Sequence, residues 1–316
     1  MVELGSKRLP LRGAGMLGVS AMLLGFVAVG GLGLARYGLG YWRYRGFAPP
    51  HDPAYVSVPG TQVRLELPSP ALGGRRQEVY VYLPPGYATS GLRYPVLYLL
   101  HGVPGRPLAF LETVRMGVVE DELVARARAG PAILVMPFGS TGTFTDKEWV
   151  DGASPDQGWG TFVSRDLVRA IDARYRTIPT RAGRAIAGLS EGGFGAIDIA
   201  LRNPAEFSVV ESWSGYERPD PIRAIFGPRL GLLAANDPMT LLPRLAPRLR
   251  RQGTYFWFYS GKKDRLRRQN ETFSRLLEHE GVPHTYFESS GGHDWALWRA
   301  NAVRAYLAAV PRLAHG

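Results

Sequence analysis

The chain has 316 residues, 45% of them hydrophobic and 21% charged, with a formal net charge of +11 and no cysteine. That length suits one large domain or two small ones, with enough apolar residues for a packed core. The lack of thiols excludes a disulfide scaffold, a thiolate metal site and a cysteine nucleophile, and the basic charge comes without any nucleic-acid motif, so it points to an anionic membrane surface or an acidic substrate.

In chain order, the first predicted element is GAGMLGVSAMLLGFVAVGGLGLA, residues 13–35, which carries no charged residue. At about 1.5 Å per residue such a helix spans a hydrocarbon core of about 30 Å. Arg12 precedes it and Arg36 follows, and Tyr37, Tyr41, Trp42 and Tyr44 suit the headgroup layer. Residues 1–45 are therefore expected to be a single-pass membrane anchor with basic and aromatic flanks, the domain lying on the extracytoplasmic side. The alternative is a signal peptide cleaved near Gly33-x-Ala35, giving a secreted protein. Residues 46–60, rich in proline and glycine, read as a linker.

From there to residue 312 the pattern is that of one α/β domain. TQVRLEL (61–67) and RQEVYVYLP (76–84) alternate as an antiparallel hairpin does. YPVLYLLHG (94–102) and AILVMP (132–137) are continuous apolar runs, expected of strands buried on both faces. A helix is predicted over 107–129 and another over 161–175. RAIAG (184–188) is a strand, 192–204 a helix, and FSVVESWSG (207–215) and TYFWFYSG (254–261) two further strands. Residues 267–281 are helical, HTYFES (284–289) is a strand, and a helix beginning at DWALW closes the chain. Alternating strands and helices imply a mostly parallel sheet covered on both faces. Residues 216–253 hold six prolines and are expected to be an irregular insertion, a possible cap.

GLSEGGFGA (188–196) follows the strand at 184–188. Gly188-x-Ser190-x-Gly192 is the pattern of a serine held on a tight strand-to-helix turn. A serine hydroxyl needs a base within hydrogen-bond reach, and the base needs an orienting acid. In open α/β sheets both must come from loops at the carboxyl ends of strands. Of six histidines, His293 lies past the strand at 284–289 and at the mouth of the last helix, where the base belongs. Asp264, directly after the strand at 254–260, is the candidate acid. Asp237 competes with it, and Asp294 is placed to cap the last helix. The oxyanion donors expected are the backbone N–H groups of Glu191 and of Val103 in the HGVPG loop, Pro104 having none to give. Lys262, Lys263 and Arg265 crowd the candidate acid. They read either as a rim that draws in an anionic substrate or as a solvated charged loop.

Together, RAIAGLSEGGFGAIDIALRNPAEF, LYLLHGVPG and GGHDWALW resemble the esterase D, enterochelin esterase and antigen 85 mycolyltransferase group of serine hydrolases, over roughly residues 76–310. The resemblance implies the α/β-hydrolase fold, with nucleophile, acid and base at Ser190, Asp264 and His293. It departs at Glu191, where such proteins more often carry an apolar residue. It implies a serine esterase of small-molecule or lipid esters, needing no cofactor or metal. It leaves open an acyltransferase that passes the acyl group to a sugar or lipid hydroxyl. A catalytically inactive binding protein on the same fold is the third reading.

Overall fold

The computed structural model describes residues 12–44, 58–140 and 147–316, with side chains in the first segment described at 20–35 and 38. The chain divides into two units, Met1–Pro50 and His51–Gly316. In the first, Arg12–Tyr44 forms one helix, α1. Its large apolar side chains from Met22 to Leu34 are exposed. Among the described residues no helix is long and apolar enough to cross a membrane. Residues 1–11 and 45 of the expected anchor, and the linker up to residue 57, lie outside the described residues.

Among the described residues the second unit is built on eight strands: β1 (Thr61–Pro68), β2 (Arg76–Leu83), β3 (Val96–Leu100), β4 (Ile133–Pro137), β5 (Arg184–Leu189), β6 (Val209–Trp213), β7 (Tyr255–Gly261) and β8 (His284–Ser289). Their spatial order is β1-β2-β4-β3-β5-β6-β7-β8. The β1–β2 and β2–β4 pairs are antiparallel, and every pair from β4 to β8 is parallel. The parallel strands read as unbroken apolar runs because helices cover both faces. Along β3, Val96, Tyr98 and Leu100 enter one core while Leu97 and Leu99 enter the other.

Helix α2 (Met116–Ala125) lies on the second of these faces. Helices α3 (Val168–Arg174), α4 (Glu191–Arg202), α5 (Pro238–Arg251) and α6 (Arg267–His279) pack on the first, and α7 (Trp295–Ala309) on the second. From β3 the chain moves to β4 on one side and then to β5 on the other. Ligands bind in α/β sheets at such a reversal. The register sets Leu100 beside Gly188, so the loop after β3 and the turn after β5 leave the sheet side by side.

Two elements differ from the expectation. The helix predicted over 107–129 is broken into Ala109–Glu112 and α2, with Arg115 between them at φ 67°. Residues 216–253, expected to be irregular, contain the 14-residue helix α5. Pro238 sits in its first turn, where an N–H is not needed. Pro243 and Pro247 lie on its exposed face, where water can take the carbonyls they leave unbonded, while Leu242, Ala246 and Leu249 are buried in the core beside helices α4 and α6. The proline count therefore hid a regular helix in this stretch.

One acidic residue lies wholly inside the sheet. Glu211 of β6 is fully buried, with Trp213 Nε1–H donating to its Oε2 at 2.8 Å. Burial holds its pKa well above the ordinary 4.5, which the Trp213 bond offsets only in part. The folded state thus binds this proton more tightly than the unfolded chain does. The stabilisation is complete below the unfolded pKa and is lost as pH rises through the raised folded value. Glu211→Gln keeps an acceptor for Trp213 and has no proton to lose. Its melting temperature relative to the parent should therefore climb as pH rises above the ordinary carboxylate value of 4.5; a difference that stays flat with pH would contradict this.

Candidate active site

Ser190 joins β5 to α4 with φ 55° and ψ −122°. A non-glycine residue in such a conformation costs of order 1–3 kcal/mol, and the surroundings must hold it there. They do so through close backbone contacts. A Cβ on Gly188 would sit 2.1 Å from Gly192 O, and one on Gly192 would sit 2.0 Å from Leu100 O. Only glycines let β5, the turn and β3 meet this closely. On the other side, a Cβ on Gly102 would lie 2.9 Å from Ser190 Cβ, which places the loop after β3 directly against the serine.

His293 reaches Ser190 from the loop between β8 and α7. Its Nε2 is 2.8 Å from Ser190 Oγ and its Nδ1 is 2.8 Å from Asp264 Oδ2. An ionised carboxylate can only accept, so Nδ1 carries the proton and Nε2 is left to accept from the serine hydroxyl. The imidazole also stands edge-on to Trp298, with ring centroids 5.2 Å apart.

The Asp264 side chain is fully buried at the carboxyl end of β7. Burial pushes its pKa up, but bonds from His293, Ser214 Oγ and the Leu266 N–H outweigh it and hold the pKa below the ordinary 3.8. Asp264 therefore stays charged throughout the neutral range. Ser214, which donates to Asp264 Oδ2, was not anticipated from the sequence. Its only signal there is a small polar residue just past the end of β6. Its own φ of 55° turns the chain back toward β7, whose Tyr259 carbonyl accepts the Ser214 N–H at 2.8 Å.

The competing carboxylates lie elsewhere. Asp237 caps α5, accepting from Met239 N at 2.9 Å, and pairs with Arg218 at 2.7 Å. Asp294 caps α7 through Leu297 N at 3.1 Å. Glu191 opens α4 with a buried side chain, and its Oε1 accepts from Lys147 N at 3.4 Å. Val103 is 37% exposed in the loop beside the serine. Lys262, Lys263 and Arg265 are exposed on the loop between β7 and α6, with Asp264 buried among them. Arg267, farther along, is engaged by Glu271 at 2.8 Å and Glu288 at 2.9 Å. Among the described residues no group of three or more His, Cys, Asp or Glu side chains is arranged to hold a metal ion.

Residues 69–308 match the Esterase family. An esterase of Mycobacterium tuberculosis is 38% identical over 149 residues, which is 47% of this chain and 30% of that protein. A diacylglycerol acyltransferase/mycolyltransferase of Mycobacterium leprae is 30% identical over 57% of this chain and 51% of its own length. The chain thus spans about a third to a half of these relatives. Among solved structures, a ferulic acid esterase superposes with a TM-score of 0.71 at 26% identity, covering 81% of this chain and 99% of that one.

Proposed function

As the chain belongs to the Esterase family, we propose that it hydrolyses carboxylic esters through an acyl-enzyme on Ser190. The observation that carries this is the bridging imidazole, 2.8 Å from both the serine hydroxyl and the buried carboxylate. Ser190 Oγ attacks the ester carbonyl as His293 Nε2 takes its proton. Backbone N–H groups of Val103 and Glu191 receive the negative charge that develops on the carbonyl oxygen. The imidazolium, steadied by Asp264, then protonates the departing alcohol. Water enters, His293 takes its proton, and the carboxylic acid leaves as Ser190 regains its hydrogen. A catalytically inactive binding protein would have no need to keep the three groups in this alignment.

A second reading follows from the relative named a mycolyltransferase. In it, a sugar or lipid hydroxyl replaces water in the second half-reaction. Incubating the protein with p-nitrophenyl esters of graded acyl length, with and without trehalose or glycerol, separates the two. Free acid as the main product supports hydrolysis, whereas acylated acceptor supports transfer. No p-nitrophenol release from any ester would sink both.

We propose further that Lys262, Lys263 and Arg265 form a rim that attracts anionic esters. Replacing both lysines with glutamine should raise KM for an anionic ester more than for a neutral one, and added salt should shrink the difference. Equal KM changes for the two esters at low salt would leave these residues as a solvated loop. For the N-terminal segment we propose a membrane anchor, supported by the uncharged run 13–35 and the exposed apolar side chains of α1. The full chain in its native host should then stay with membranes after carbonate washing. A mature N-terminus near Arg36 would show cleavage instead.

A further inference from the structure

Val103 can serve as an oxyanion donor only if the Gly102–Val103 peptide presents its N–H to the site beside Ser190. The carbonyl and N–H of a trans peptide point in opposite directions, so whatever holds Gly102 O also aims the Val103 N–H. In this chain the holder is a histidine. His101 Nδ1 lies 2.8 Å from Gly102 O. Its other nitrogen, Nε2, accepts the Gly139 N–H at 3.0 Å. A neutral imidazole with Nε2 accepting must carry its proton on Nδ1, which makes Nδ1 the donor to Gly102 O.

The ring is itself locked. His101 is 2% exposed, with Trp149 edge-on at 5.2 Å and Phe138 on another side at 5.6 Å. Trp149 Nε1–H also donates to the His101 carbonyl at 3.0 Å. Burial pushes the His101 pKa down to about 4, so the ring stays neutral and keeps this tautomer in the neutral range.

We propose that His101 is a positioning residue for the reaction: its Nδ1–H holds the Gly102 carbonyl away from the site and thereby sets the Val103 N–H as an oxyanion donor. This rests on the reading of Ser190 as the nucleophile. The ring nitrogens differ in consequence. Asparagine places an amide N–H near the position of Nδ1, so His101→Asn retains the donor to Gly102 O. His101→Gln places its amide near Nε2 and loses that donor, and His101→Phe keeps the ring shape and loses both bonds.

The test is kcat and KM for one p-nitrophenyl ester across these variants, beside affinity for a boronic acid that forms a tetrahedral adduct with serine. Losing one oxyanion donor costs about 10²–10³ in kcat. His101→Gln and His101→Phe should lose kcat on that order with KM nearly unchanged. Boronate affinity should fall in parallel, and His101→Asn should recover most of both. A merely structural role would lower melting temperature and active fraction and would leave kcat per active site and boronate affinity unchanged, which would overturn the proposal. If the variants do not fold, ¹⁵N correlation spectra of the wild-type protein decide: proton on Nδ1 of His101 is expected, and proton on Nε2 overturns the lock. Ser190→Ala run alongside keeps the two readings apart. If it remains active, the nucleophile assignment fails; if it is inactive while His101→Phe turns over normally, only the role of His101 fails.

Discussion

Replacing Ser190 with alanine is expected to reduce ester turnover about a millionfold, the loss seen when a triad nucleophile is removed. The size of the effect follows from the mechanism proposed above. Without Oγ there is no covalent step, and His293 is left with no proton to take from the position 2.8 Å from its Nε2. What remains is binding and the oxyanion donors, worth about 10³–10⁴ over water. The substitution should leave the domain intact, because alanine keeps the Cβ that already fits against Gly102. An unchanged circular dichroism spectrum and melting curve, with turnover lost, is the expected pair of results. Substantial turnover by a folded Ser190→Ala protein would rule out the acyl-enzyme at this residue.

The second large effect is at Asp264. Asp264→Asn should lower kcat about 10⁴-fold, as in other Ser-His-Asp triads. In the proposed mechanism the carboxylate does two things. It accepts Nδ1–H at 2.8 Å, which leaves Nε2 free to receive the serine proton, and its charge steadies the imidazolium. An asparagine amide can donate to Nδ1, which moves the ring proton to Nε2 and turns the base away from its task. Asp237→Ala is the control. It removes the α5 cap and should cost about 1 kcal/mol of stability, with kcat/KM near wild type. The opposite outcome, a silent Asp264→Asn and a dead Asp237→Ala, would transfer the acid role to Asp237.

Much of this arrangement was legible in the sequence because the sheet is buried on both faces. Runs such as VLYLL, ILVMP and YFWFYSG have few other stable fates, and the edge strand β1 alternates as its half-exposed position requires. The Gly-x-Ser-x-Gly turn was legible for a steric reason, since any side chain at 188 or 192 would collide with backbone. Proline was the misleading signal in α5. It forbids helix only where the lost N–H cannot be replaced, and Pro243 and Pro247 face solvent. The break at Arg115 left no trace, because nothing in ETVRMG marks a left-handed residue. Ser214 and His101 were opaque in another way. Their partners, Asp264 at a separation of 50 residues and Gly139 at 38, are set by strand order, which no local pattern encodes. Glu211 likewise reads as a polar interruption of a strand until the helices over both faces are in place.

The central claim is a covalent intermediate on one serine, and mass spectrometry reads it directly. The protein is mixed with a p-nitrophenyl ester, quenched in acid within the burst phase and digested. The peptide containing Ser190 should gain the mass of the acyl group, in step with the p-nitrophenol burst, and Ser190→Ala should show neither. Steady ester hydrolysis by the wild-type protein with a burst-phase adduct on another residue, and none on the Ser190 peptide, would contradict the account.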